Sequence, residues 1–326
     1  MIKVKKYQKE DKDVWDNFVQ NSKNGTFLFE RNFMEYHEDR FIDYSLMIFK
    51  DEELFAVLPA NLSSQNEVFS HSGLTYGGIV LGKEVRLNLY LVLFREILSF
   101  LNLMGIDILK LKLLPIFYSN IPSQENIYAL FLVGARIFRV DTSLTILQEE
   151  KLSYQSRRIR SIKKVQKLNY SIANGNDFKV FWNDILEPNL MSRFGNKPVH
   201  SLAEIELLAE KFPKNISQVN IFVNDKIVAG ATIFETKYVA HAQYISASDY
   251  GRESGAIDEL FNYMITELYN KKKYFDFGIC NEQDGKFLNH GLLDWKEGFG
   301  GRTFTHEFYE INTTNFSLLD KTIKND

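Results

Sequence analysis

Ser246-Ala247-Ser248-Asp249-Tyr250-Gly251-Arg252-Glu253-Ser254-Gly255-Ala256 joins a strand-like run, Tyr238 to Ala247, to a long helix-like run, Ile257 to Lys271. Glycines let a backbone approach a ligand closely, and the first amides of a helix have no partner within it. With the helix dipole behind them, such amides suit a phosphate or pyrophosphate, and Arg252 can add charge. The plainer alternative is a connecting loop with Ser254 as N-cap. The helix that follows carries Ile257, Leu260, Phe261, Met264, Ile265 and Leu268 at helical spacing, a stripe that faces a core. An apolar strand, Tyr274 to Ile279, comes next, so this stretch reads as α/β.

Upstream lie three helical runs, Tyr154 to Leu168, Phe178 to Met191 and Leu202 to Phe212. A hairpin follows, Ser217 to Val223 and Ile227 to Glu235, turning at Asn224-Asp225-Lys226. The first half runs the same way. Helices at Glu10 to Ser22 and Arg31 to Arg40 precede a hairpin, Tyr44 to Lys50 and Leu54 to Asn61, turning at Asp51-Glu52-Glu53. A loop of small residues, His71 to Gly78, leads to a helix, Val85 to Met104, and to strands at Ile106 to Leu114 and Phe138 to Leu147. At 326 residues the chain is longer than the usual ~100–200 of one domain. We therefore expect an α/β (α+β) fold of two similar domains, 1–150 and 151–312, each a mixed sheet flanked by helices. A final strand at Thr303 to Ile311 and a loose polar tail over 313–326 complete the reading.

Hydrophobic residues make up 45% and charged residues 25%, an ordinary globular balance, and the net charge of −3 argues against a general nucleic-acid binder. The single cysteine, Cys280, cannot form an internal disulfide, and no Cys/His cluster has metal-ligand spacing, so no metal is expected. No apolar run reaches the ~20 residues needed to span a bilayer. The longest, Leu87 to Met104, is broken by Asn88, Arg95 and Glu96. A reducing, cytoplasmic location without stable membrane insertion is the expectation; the oligomeric state stays open.

Two more segments carry chemistry. Between Tyr154 and Lys167, six cations (Arg157, Arg158, Arg160, Lys163, Lys164, Lys167) occur without one acidic residue. Arg157, Arg160, Lys164 and Lys167 fall near one helical face, which suits a phosphorylated substrate or an RNA end, or is simply a solvated face. In Tyr274-Phe275-Asp276-Phe277-Gly278, Asp276 interrupts an apolar strand. A buried carboxylate needs partners, either neighbouring loops or a site. No nucleophile elbow, Walker loop or dinucleotide fingerprint is present, so covalent catalysis has no support.

Together these segments resemble the FemAB-like acyltransferases of the GNAT superfamily. Gln155-Ser156-Arg157-Arg158-Ile159-Arg160-Ser161-Ile162-Lys163-Lys164 is similar to that family's Arg-rich helix, and Phe275-Asp276-Phe277-Gly278 to its F-D-F-G strand. Asp249 to Ala256 takes the place of the superfamily's acyl-donor pyrophosphate loop, and Gly291 to Gly301, with Lys296, resembles the family's closing element. Gly73 to Gly78, with Tyr76, faintly resembles a Tyr/Gly/Pro loop of the first half. No long charged helical pair interrupts the second half, and Arg252-Glu253-Ser254-Gly255-Ala256 supplies only part of the pyrophosphate pattern.

The resemblance implies tandem GNAT-type domains with a cleft between them. It implies transfer of an acyl group, from acetyl-CoA or another acyl-CoA or from an aminoacyl-tRNA, to an amine on a nucleotide- or lipid-linked sugar or peptide of the cell wall or surface polysaccharide. tRNA would enter as donor only. Ser246, Gly251, Arg252, Ser254, Gly255 and Ala256 would hold the donor; Arg157, Arg160, Lys164, Tyr76 and Lys296 would bind substrate, with Arg157 and Arg160 on substrate or donor phosphates. Direct transfer needs a group to take the amine proton, and Asp276, Glu282 and His241 are the candidates in that order. Tyr244 would protonate the leaving thiolate, and backbone amides over Gln243 to Ser248 would polarise the donor carbonyl. The competing reading is a non-catalytic protein of the same fold that holds a nucleotide-linked ligand.

Overall fold

A computed structural model describes residues 1–323 and divides into two units, Met1–Asp141 with the segment from Thr305 onward, and Thr142–Phe304. The expected boundary at 150/151 thus moves to 141/142, and 305–312 changes sides. The reason is strand pairing: in Arg302–Asn312, residues from Phe308 to Asn312 run antiparallel to Ile108–Lys112 in the first unit and bury Ile311 there. The segment after 312 is not loose either. Thr313–Lys321 forms a 3₁₀ helix, Thr313 Oγ1 donates to Ile106 O at 2.7 Å, and Leu319 is buried. Residues 324–326 of the expected tail lie outside the described residues.

In the first unit, Ile2–Lys6, Leu46–Lys50, Glu53–Leu58 and Val80–Leu81 form an antiparallel sheet. Ile108–Lys112 also pairs in parallel with Val68–Phe69, which gives the unit its mixed character. The helix Leu87–Leu103 places Tyr90, Leu91, Phe94, Ile97, Leu98 and Leu101 in a core with Leu46, Ile48, Ala56 and Leu58. That apolar face is the reason the helix exists: water is excluded from one stripe only.

The second unit orders its strands Tyr170–Gly175, Ile216–Val223, Lys226–Glu235, Val239–Ala247, Tyr274–Ile279 and residues 142–147 of Arg136–Leu147. Only Val239–Ala247 and Tyr274–Ile279 run parallel. Their crossover is the helix Ala256–Tyr263, continued by a π turn over Met264–Leu268, and its Leu260, Phe261, Met264 and Ile265 are buried as the stripe requires. Each unit also carries a hairpin whose turn has positive φ at both central residues, Asp51 and Glu52 in one, Asn224 and Asp225 in the other. That geometry matches the right-handed twist of the flanking strands.

Candidate active site

The two parallel strands of the second unit are paired at three rungs only, Val239 with Tyr274, Ala240 with Phe275, and His241 with Asp276. Beyond the third they part. Gly278, at φ 76°, turns one strand aside, and a Cβ on it would stand 3.2 Å from the His241 ring. The other strand carries one extra residue, Gln243, between the positions paired with Thr232 and Ile233. A bulge of this kind re-aims the local backbone.

His241 and Asp276 therefore sit in the crotch of a fork. His241 Nδ1 lies 2.8 Å from Asp276 Oδ2. Asp276 Oδ1 accepts from Ser143 Oγ at 2.5 Å, Thr145 Oγ1 at 3.1 Å and the Gly278 N–H at 2.9 Å. Asp276 is fully buried, and the donors converging on it leave it only the role of acceptor. Nδ1 of His241 is therefore the donor in this pair. Sequence reasoning ranked Asp276 first as the base. The structure holds it fully buried, hydrogen-bonded to His241, Ser143, Thr145 and the Gly278 N–H.

The other expected groups are placed differently. Glu282 Oε1 accepts from Asn289 Nδ2 at 2.9 Å, apart from this network. The Tyr244 hydroxyl lies 2.6 Å from His200 Nδ1 and accepts from the His200 N–H at 3.1 Å, so it is held by His200. Lys296, expected to meet substrate, is 2% exposed and donates to the Gly278 and Ile279 carbonyls at 2.9 and 2.8 Å. Burial pulls its pKa down. It clamps the diverging strand just past Asp276. Tyr76 is a core residue of the first unit, its hydroxyl donating to Thr26 Oγ1 at 3.1 Å beside the Phe29 and Tyr118 rings.

The expected anion cradle is closed. Gly255, at φ 85°, caps the helix Ala256–Tyr263, and a Cβ on it would stand 2.3 Å from the Ser161 carbonyl oxygen and 2.7 Å from its hydroxyl. Ser254 and Ala256 are buried. Gly251 is likewise a packing glycine, with the Val228 carbonyl oxygen 2.1 Å from where its Cβ would be. Arg252 turns back onto Asp249 and the Ala247 carbonyl. Ser246 Oγ accepts from Asn189 Nδ2, which also holds the Ala247 carbonyl, both at 2.8 Å.

What covers the cradle is the basic helix, Ser156–Val165. Arg158 grips both carboxylate oxygens of the buried Asp258 at 2.7 Å, and Trp295 Nε1 adds a bond of 2.8 Å to the same group. Arg157 pairs with Asp294, whose pKa that guanidinium lowers, and Lys164 Nζ donates to the Glu253 carbonyl at 2.5 Å. Three of the six cations thus fasten the helix to its neighbours. Arg160, Lys163 and Lys167 stay exposed and form no ion pair among the described residues.

The crystal structure of FemX is similar to this chain over 99% of its length and 100% of that chain, with a TM-score of 0.64 at 10% identity. The chain has a FemX-like tandem GNAT fold. L-PGS from Bacillus licheniformis matches over 99% of both chains at 11% identity and a TM-score of 0.59. A tandem GNAT protein from the clavulanic acid biosynthesis pathway matches over 96% of this chain and 99% of that one, at 8% identity and a TM-score of 0.53. No protein-family model matches the chain, and no curated protein matches it in sequence.

Within the FemX-like fold, two residues that hold the dyad escaped sequence reading, Ser143 and Thr145. Their signal was present: in Ser143-Leu144-Thr145-Ile146 the polar positions alternate with buried apolar ones, which puts both hydroxyls on one face of a strand. His200 and Asn189 gave no such signal, because their partners lie far along the sequence.

Proposed function

We propose that this protein is an N-acyltransferase in which His241, oriented by Asp276, takes the proton of an acceptor amine. The observation that carries the reading is the dyad at the fork of two parting parallel strands. In the transfer, the amine nitrogen attacks the donor carbonyl carbon and the bond to the thiolate or ribose oxygen breaks. The amine proton passes to His241 Nε2, and the leaving group departs with the electron pair. Backbone amides of the bulged strand from Gln243 onward are the groups suited to the developing oxyanion. No covalent intermediate on the enzyme is needed.

The donor is an acyl-CoA or an aminoacyl-tRNA, and the acceptor an amine on a cell-wall or surface-polysaccharide precursor. A pyrophosphate does not fit the helix terminus at Gly255, which Ser161 fills. Donor phosphates are better matched to the exposed Arg160, Lys163 and Lys167, where charge reversal is expected to raise the donor KM. The closed terminus also favours one rival, a binding protein that keeps the fold without catalysis.

Calorimetry with acetyl-CoA and with charged tRNA, run beside a turnover assay on nucleotide-linked amino sugars, separates the two. Donor binding with turnover that His241→Gln abolishes is the expected result. Acceptor binding with no affinity for either donor, and no turnover, refutes the transferase.

A further inference from the structure

The first unit holds a cavity of about 180 Å³ that the transferase reading does not use. Its floor is Arg31, a buried guanidinium that stacks 3.7 Å above the Tyr7 ring and is paired with Asp43 and with Glu35 at 3.0 Å. Two carboxylates against one guanidinium leave a net negative charge. Glu35 Oε1 takes the Arg31 and Tyr7 donors, and Oε2 has no hydrogen-bond partner among the described residues. Lys9 and Glu38, 3.5 Å apart and both exposed, stand at the mouth and cancel one another. Phe41 and Met34 supply apolar wall.

A second, separate observation points to a ligand. His71 lines the cavity, is 5% exposed, and has positive φ, 66°, which is uncommon for a residue with a side chain. Its Nδ1 accepts from the Gly73 N–H at 3.3 Å, so the neutral ring carries its proton on Nε2. No described residue accepts from that Nε2. The ring is thus a donor lining the same cavity as the carboxylate acceptors Glu35 and Asp43.

We propose that this cavity binds a small amine-bearing polyol, of amino-sugar size, with the ammonium on Glu35 and Asp43 and a hydroxyl accepting from His71 Nε2. The charge decides the class. A carboxylate or phosphate on the ligand would face the carboxylates of Glu35 and Asp43, so free amino acids and sugar phosphates are disfavoured. A neutral sugar could use His71 and Arg31 but would leave the surplus charge unmet. The proposal goes beyond the transferase reading, because it concerns binding within the first unit and needs no donor.

The test is titration of the full-length chain with D-glucosamine, D-glucose and glucosamine 6-phosphate, followed by calorimetry and by chemical-shift mapping. Glucosamine is expected to bind at least about tenfold more tightly than the other two, with shifts at Tyr7 and His71. Glu35→Gln and His71→Asn, the latter chosen because asparagine tolerates positive φ, should each weaken it about tenfold or more. Glucosamine that fails to bind at about 10 mM, or binds no better than glucose, overturns the proposal. So do shifts that fall outside the cavity. Because the mapping uses the unaltered chain, a variant that fails to fold does not protect the idea.

Discussion

His241 Nδ1 stands 2.8 Å from Asp276 Oδ2 across the last paired rung of two parallel strands that separate immediately beyond it. The hydrogen bond and the fork have one origin. Pairing fixes both backbones up to this rung, and Gly278 releases one of them after it. The result is a buried histidine held by a fully buried carboxylate where the two strands diverge.

Asp276→Asn is expected to lower kcat by about 10²–10⁴-fold with little change in KM. The carboxamide would donate to Nδ1, move the ring proton to Nε2 and remove the lone pair that acts as base. Steady-state kinetics check this. Full turnover in a folded variant would exclude the dyad from the chemistry.

Arg158→Ala should destabilise the fold by about 3–5 kcal/mol, because it strands the buried carboxylate of Asp258. Arg160→Ala, two residues away and exposed, should change stability by no more than about 0.5 kcal/mol. Urea unfolding compares them. Equal effects would contradict the division of the basic helix into fastening and free cations.

Gly255→Ala and Gly195→Ala both place a Cβ at positive φ, 85° and 65°. Around Gly195 nothing stands within 4 Å, so only the backbone strain of about 1–2 kcal/mol applies. At Gly255 the Ser161 carbonyl must also move, so the loss should be clearly larger. Thermal unfolding that ranks the two alike would mean the helix terminus is more open than described.

Burial first, and then His37 nearby, push the pKa of His71 down to about 3. In the unfolded chain the ring takes its proton near the ordinary value of about 6.5. Neutral His71 therefore contributes stability that is complete above about pH 6.5 and is lost as pH falls towards 3, by about 1.4 kcal/mol per pH unit. Unfolding of the parent and of His71→Asn at several pH values isolates this. Their difference should shift against the parent chain as pH falls, and a flat difference would refute the assignment.

Much of the scaffold was legible. The stripe at Leu260, Phe261, Met264 and Ile265 lies on the helix it predicted, and Tyr274–Ile279 is a strand with the expected limits. Both hairpins follow from alternating runs around polar turns. Local pattern could not tell a glycine that opens a loop to a ligand from one that lets two backbones touch. Gly251 and Gly255 looked like the first and are the second, because Val228 and Ser161 are close in space only. The basic helix misled in the same way: its acidic partners, Asp258 and Asp294, lie about a hundred residues or more downstream. Asp276 was found because a carboxylate in an apolar strand must be explained, but its use as an orienting group depends on His241, which only the parallel pairing brings opposite.

The strand at 308–312 has a consequence for biosynthesis. It flanks Ile108–Lys112, yet a ribosome makes it only after the whole of Thr142–Phe304. Until then Ile108–Lys112 lacks its antiparallel neighbour, a raw edge open to the wrong partner. A nascent chain arrested near residue 141 should therefore be cut readily by protease and recruit holding chaperones, whereas one extended past residue 312 should not.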